Sequence, residues 1–339
     1  MSARLQTSIQ ALDLYENQRT RLKLLPRKLP RVAWTERRGP LLHLTPLAPD
    51  GAVLGLNLSA GCVHQCLFCS ARAYASYPGE EVVNLYVASA ERLDAELAGK
   101  RKLPRAVLLC PATDPFPPLA EVQAETARII EVLAAHKVES WILTRGFIRP
   151  AVLAVIQKHL RLVKITIGLT ALDRALQQLV EPLTAPPRMR VRQIARLRAL
   201  GFSVQVALEP LVPGVTDEPE NLTSLLGALA EIGIRHVTAG YMFVRPGIRD
   251  NITLALRALD LEDLVLMPFA GGPILRSNSV ATAQYLPKTR RQRGYSRLMA
   301  IAADLGISVS VGRLSNPDFQ LQAHPLADST TRRRFLALR

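Results

Sequence analysis

Short apolar runs alternate with amphipathic stretches along most of the chain. Val53–Leu58, Ala106–Cys110, Trp141–Thr144, Leu162–Ile167, Val204–Leu208 and His236–Thr238 are compact and mostly apolar, which predicts buried strands. Between them, Ala88–Leu97, Glu121–Ala135, Pro150–His159, Arg188–Leu200 and Asn221–Ile232 read as helices. Val122, Ile129, Ile130 and Leu133 mark the apolar face of the second of these. Pro150 stands where a helix can start, and Gly201 and Gly233 stand where helices can stop. Six strands alternating with helices imply parallel βαβ units. The fold expected is α/β, a partial (β/α)6 barrel of TIM type, with its chemistry at the C-terminal ends of the strands.

The two ends break this rhythm. Before residue 50 the chain is rich in Pro and Arg (Pro26, Pro30, Pro40, Pro46 and Pro49) and reads as an extended arm wrapping the body. After residue 241 the pattern weakens. Gly271-Gly272-Pro273 marks a turn, Ser296–Leu305 a helix and Ile307–Val311 a short last strand, and Arg332-Arg333-Arg334 is expected to be mobile. The organisation expected is an arm over 1–49, a barrel over 50–245 and a C-terminal extension over 246–339 packed on the barrel.

Composition narrows the class. With 339 residues, 48% hydrophobic and 21% charged, the chain can bury a core and is neither disordered nor fibrous. No apolar run reaches the ~18 residues of a membrane span. The start, Met1-Ser2-Ala3-Arg4, lacks the apolar segment of a secretory signal, so the cytoplasm is the location expected. The formal charge of +15 is unevenly placed. Residues 1–40 hold nine Lys/Arg against three Asp/Glu and residues 273–339 eleven against three, while 41–272 hold 23 against 22. Basic flanks on a neutral body suit a polyanion, nucleic acid first and an anionic membrane surface second. A plainly solvated surface is the alternative.

Three of the four cysteines lie together, in Cys62-Val-His-Gln-Cys66-Leu-Phe-Cys69, and Cys110 stands apart. A disulfide framework would spread an even set over a small secreted chain, so the trio reads as metal-binding. Structural zinc wants a second knuckle, which is missing, and His64 as fourth ligand would strain so short a loop. An iron–sulfur cluster fits better, with three thiolates leaving one iron open to a further ligand. A non-catalytic zinc-binding module stays as the alternative.

The Cys-x3-Cys-x2-Cys spacing, with Phe68 before the third Cys, resembles the signature of radical S-adenosylmethionine (radical SAM) enzymes. The resemblance implies a [4Fe–4S] cluster on Cys62, Cys66 and Cys69 whose open iron chelates SAM. The cluster then splits SAM to a 5′-deoxyadenosyl radical that abstracts hydrogen. It also implies an external one-electron reductant of flavodoxin or ferredoxin type. Thr113-Asp114-Pro115-Phe116-Pro117-Pro118, Thr144-Arg145-Gly146 and Glu181-Pro182 with Arg188–Arg192 are similar to spore photoproduct lyase-like (DNA repair photolyase-like) proteins, over roughly residues 50–245.

Strand ends should converge on one mouth, which makes Thr113, Asp114, Thr144, Arg145 and Gly168 candidates for holding SAM. Arg145 suits its carboxylate, at a position where relatives commonly carry Lys. True spore photoproduct lyases use a further cysteine near the end of the second strand to return hydrogen. Cys110 is in that neighbourhood, one position early relative to Asp114, and a small buried hydrophobe is the competing reading. With only Cys110 left over, auxiliary clusters are disfavoured. The reaction expected is simple hydrogen abstraction, on a nucleic acid or else on a small molecule or peptide. Tyr74 and Tyr77 read as packing over the loop, Glu209 as either core or site acid, and the scattered His43, His136, His159, His236 and His324 as caps or core contacts.

Overall fold

The computed structural model describes residues 29–45, 51–257, 260–277 and 281–319. Arg31–Thr35 (β1) and Leu42–Leu44 (β2) come first. Val53–Leu56 (β3) leads through the short Ser59–Ala60 (β4) into the cysteine loop, and Val82–Tyr86 (β5) follows it. The rhythm then runs Ser89–Ala98 (α1), Ala106–Leu109 (β6), Ala120–Ala135 (α2), Glu139–Thr144 (β7), Pro150–Gln157 (α3) and Val163–Gly168 (β8). Arg174–Val180 (α4) and Pro187–Ala199 (α5) precede Ser203–Leu211 (β9), Pro219–Glu231 (α6) and His236–Tyr241 (β10). The rest is Pro246–Arg257 (α7), Glu262–Leu266 (α8), a hairpin of Ile274–Ser277 (β11) and Ala281–Gln284 (β12), Lys288–Asp304 (α9) and Ser308–Val311 (β13).

Eight strands form one sheet in the order β13-β10-β9-β8-β7-β6-β3-β2. Every neighbouring pair is parallel except β2 with β3. From β3 to β10 spatial order follows chain order, as right-handed βαβ crossovers dictate, and the arc is open with β2 and β13 at its edges. This is a partial barrel of the predicted α/β type. The strands read as continuous apolar runs because helices cover their outer face while the inner face fills the core. Ile165, Ile167, Val206 and Leu208 of β8 and β9 are all buried there.

The C-terminal segment does more than lie on this arc. β13 adds a seventh parallel strand beside β10, from His236 opposite Ser308 to Ala239 opposite Val311. Helix α9 delivers it. Arg291, fully buried in the first turn of α9, forks onto Asp318 at 2.8 and 2.6 Å and donates to Asn316 Oδ1 at 2.9 Å. Before the barrel, β1 pairs in parallel with β5, which also pairs with β4, as a separate three-stranded sheet. Residues 1–28 and 46–49 of the expected arm, His324 and Arg332–Arg334 lie outside the described residues. Among the described residues no helix is long and apolar enough to cross a membrane.

Candidate active site around the cysteine loop

The loop starts where β3 ends and the chain switches sheets. Gly61 takes φ +81°, and a Cβ there would sit 2.6 Å from the Val82 carbonyl, so the turn requires glycine. Two backbone bonds hang the loop on the α4–α5 connection. Leu67 N–H donates to Val180 O at 2.9 Å, and Leu183 N–H donates to His64 O at 3.3 Å. Cys62, Cys66 and Cys69 line one hollow, with His64, Arg72 and Tyr77 on its wall. Burial first, then the neighbouring Asp114 and thiols, push the Cys62 thiol up; burial also raises Cys66. Both are therefore protonated unless a metal takes the sulfur.

Asp114 ties three segments together at the mouth. Its Oδ1 accepts from Phe116 N–H at 2.8 Å and from Thr144 Oγ1–H at 2.7 Å. Its Oδ2 accepts from Arg145 N–H at 2.7 Å and faces His64 Nδ1 at 3.4 Å. Burial opposes the charge, but His64 and these hydrogen bonds hold the carboxyl below its ordinary value. Gly146 closes the same corner. A Cβ there would lie 1.8 Å from the Phe116 carbonyl oxygen, a backbone atom that cannot step aside. Gly146→Ala should therefore cost about 1–3 kcal/mol, read as a lower midpoint in urea.

Arg145 lies across the mouth from the end of β7 to β9. It passes over Gly168, whose missing side chain leaves the room; a Cβ there would meet the Arg145 side chain at 3.0–3.2 Å. Its Nε donates to Glu181 Oε1 at 2.9 Å and one Nη donates to the Glu209 carbonyl. Its guanidinium sits 5.3 Å from the Phe68 ring centre, which gives the aromatic before the third cysteine a physical job. Glu181 is fully buried and also pairs, at 2.7 Å through Oε2, with the buried Arg190. Arg190 further donates to Gly168 O at 2.6 Å and to Ala185 O at 2.9 Å. Loop, strand ends and the α4–α5 connection thus meet on one Arg–Glu–Arg triad.

The model of the Radical SAM superfamily matches residues 56–226, half of the chain. The chain belongs to the radical SAM superfamily. Among curated sequences it is 30% identical over 216 residues to an uncharacterized protein of Mycobacterium tuberculosis, covering 59% of this chain and 63% of that one. It is 24% identical over 196 residues to a protein of Acidianus two-tailed virus, covering 54% of this chain and 64% of that one. The chain thus spans less than two thirds of the length of these relatives. Among solved structures, a spore photoproduct lyase variant with bound AdoMet and dinucleoside spore photoproduct superposes with a TM-score of 0.65. That match covers 88% of this chain and 93% of the other at 12% identity. A second lyase variant gives 0.63 at 13% identity over 83% and 82%. At such identities the likeness is one of fold.

The remaining predicted residues of this radical SAM chain fall into two groups. Thr113 is half-buried at the mouth, where Ser59 Oγ–H reaches its hydroxyl at 3.5 Å. Glu209, on β9, is half-buried; burial raises its carboxyl, and its Oε1 has no hydrogen-bond partner among the described residues. Cys110 is buried in a left-handed conformation (φ +57°) and does not line the cysteine hollow. Its thiol contacts the Leu58 backbone and Thr113 side chain, and burial pushes it up to about 12. Tyr77 lines the hollow and donates to Glu80, whereas Tyr74 is exposed beneath Arg245. His136 pairs with Asp94 and His236 with Ser308, both on the periphery. Reading the sequence missed the pairing of His64 with Asp114 and of Glu181 with Arg145 and Arg190. The second left a signal: Arg190 occupies the apolar stripe of α5, with Ile194 and Leu197, where an unpaired charge is untenable.

Proposed function

We propose that this enzyme holds one [4Fe–4S] cluster on Cys62, Cys66 and Cys69 and abstracts hydrogen from a nucleic-acid substrate. The observation that carries the first part is the three thiols lining a single hollow at the C-terminal end of β3. Soft thiolates around a hollow, with one position left open, fit an iron–sulfur group. When bound, it supplies the electron that splits SAM reductively to a 5′-deoxyadenosyl radical. The chain's own residues orient and enclose. Arg145 has its Nε and one Nη engaged, which leaves the other Nη for the SAM carboxylate. Thr113 offers a hydroxyl at the same mouth. Asp114, Thr144 and Gly168 serve SAM at one remove, by fixing the Arg145 backbone, the Gly146 corner and the path of the Arg145 side chain. Burial and a place outside the hollow favour the structural role for Cys110 over hydrogen return.

The nucleic-acid part rests on charge: the excess of Lys and Arg in residues 1–40 and 273–339 suits phosphate. Anaerobic iron and sulfide analysis, with an EPR spectrum of the reduced protein, tests the cluster. Zinc at one per chain without sulfide would instead support a binding module. Reconstituted protein with dithionite and SAM should release 5′-deoxyadenosine well above a Cys62→Ala control. Equal release from both sinks the enzyme reading. DNA or RNA affinity that does not fall as salt rises sinks the phosphate part alone.

A further inference from the structure

The balanced charge of residues 41–272 conceals a strongly basic wall. Segments 145–161 and 182–200 together hold nine Lys/Arg and no Asp/Glu. Two of the nine, Arg145 and Arg190, turn inward to Glu181. The other seven are exposed. Arg188, Arg192 and Arg196 repeat every four residues and so form one stripe along α5, while Arg149 stands at the N-cap of α3. Gln193, midway along α5, ties that helix to the segment leading into α3: it accepts from Ile148 N–H at 2.8 Å and donates to Gly146 O at 3.1 Å.

At the upper end of this wall is a cavity of about 290 Å³, lined by Pro118, Phe147, Arg149, Leu183, Met189 and His64. His64 also lines the cysteine hollow, and its Nε2 is buried without a partner among the described residues. One imidazole therefore separates an apolar, cation-rimmed cavity from the three thiols. Nothing in the hydrogen-abstraction reading uses this surface, yet a cluster needs an electron from outside the chain.

We propose that the α3–α5 wall docks an acidic one-electron carrier protein, with the exposed edge of its flavin or iron–sulfur group seated at the cavity beside His64. The inference rests on the cluster reading above. In the transfer the carrier is oxidised by one electron and the iron–sulfur group is reduced by one, with no bond made or broken. Nucleic acid would also meet these cations. The stripe, however, runs from the cavity down the outer helix α5, so only its upper end reaches the mouth where an extruded base must enter, and the carrier is the better fit.

Exposed cations of this kind govern encounter and its salt dependence. The test compares holoenzyme with the triple variant Arg149→Glu, Arg188→Glu, Arg192→Glu, using purified flavodoxin and ferredoxin as probes. Carrier affinity in the wild type should fall as KCl rises, and the variant should bind roughly 10–100-fold more weakly at low salt. Dithionite-driven SAM cleavage should be the same in both proteins. Equal carrier affinity in the two proteins overturns the proposal. So does an unchanged carrier affinity with lowered affinity for a single-stranded oligonucleotide. Loss of dithionite-driven cleavage in the variant alone would place these residues in the catalytic structure and overturn it too. Absence of that cleavage in the wild type strikes the cluster reading, whereas carrier binding still reports on the wall.

Discussion

Glu181→Ala should destabilise the protein by roughly 3–5 kcal/mol, the cost of leaving buried charges without their partner. Glu181 is fully buried between Arg145 and Arg190, at 2.9 Å and 2.7 Å. Its removal strands two guanidinium groups, one of them almost wholly buried. The damage should reach the cysteines, because Val180 O and Leu183 N–H, the two atoms that hang the cysteine loop, flank this residue. Iron uptake on reconstitution should therefore drop along with stability. Glu181→Gln, which keeps the shape and removes the charge, should show the same effect in smaller measure. Burial works against the Glu181 carboxylate, but Arg190 and then Arg145 outweigh it and hold its pKa low. A carboxyl lowered on folding contributes its full stability above the unfolded value of about 4.3, and that contribution disappears as pH falls through the folded value. The gap between wild type and Glu181→Gln in urea midpoint should thus be wide at pH 7 and narrow under acid. A variant within 0.5 kcal/mol of wild type at pH 7, as a rough threshold for a surface change, would falsify the triad's role.

The parallel strands were legible because each needed only a local property, a short apolar run bounded by Gly, Pro or polar residues. The cysteine loop was legible for a similar reason: three thiols within eight residues can line one hollow without help from distant segments. Helix α4 escaped notice, although Asp173 caps it by accepting from Ala175 and Leu176 N–H, because seven residues carry too little periodicity. β13 was read as a strand, but it is framed by a contact between Arg291 in the first turn of α9 and Asp318 beyond β13, a pairing no spacing rule encodes. Charge was misleading when summed over residues 41–272. Acidic residues elsewhere on the arc cancel the basic wall in the total, and only the sheet order sets α3 and α5 side by side. The mouth residues were found by position, at strand ends, but position says where a side chain starts and not what it holds.

Asp114 makes that difference measurable. A carboxylate at a strand end beside Arg145 invites a ligand role, yet both its oxygens are occupied by Phe116, Thr144, Arg145 and His64. Asp114→Asn places an NH2 group where one set of donors converges, so at least one buried N–H or O–H loses its acceptor. Hydrogen bonds to a buried charge contribute about 1.5–3 kcal/mol each, and an orphaned donor costs about 1–3 kcal/mol. The expected loss is about 2–4 kcal/mol in urea unfolding, with Asp114→Ala worse than Asn. Below the ordinary carboxylate range the difference should close, because the folded pKa of Asp114 is also held low. Binding of S-adenosylhomocysteine to the reconstituted protein supplies the second readout. If Asp114 is a brace, affinity at 4 °C in the folded variant should change by less than about threefold, under 1 kcal/mol. A large loss of affinity with an unmoved urea midpoint would make Asp114 a direct ligand of the cofactor and return the bracing role to Thr144 and Gly146.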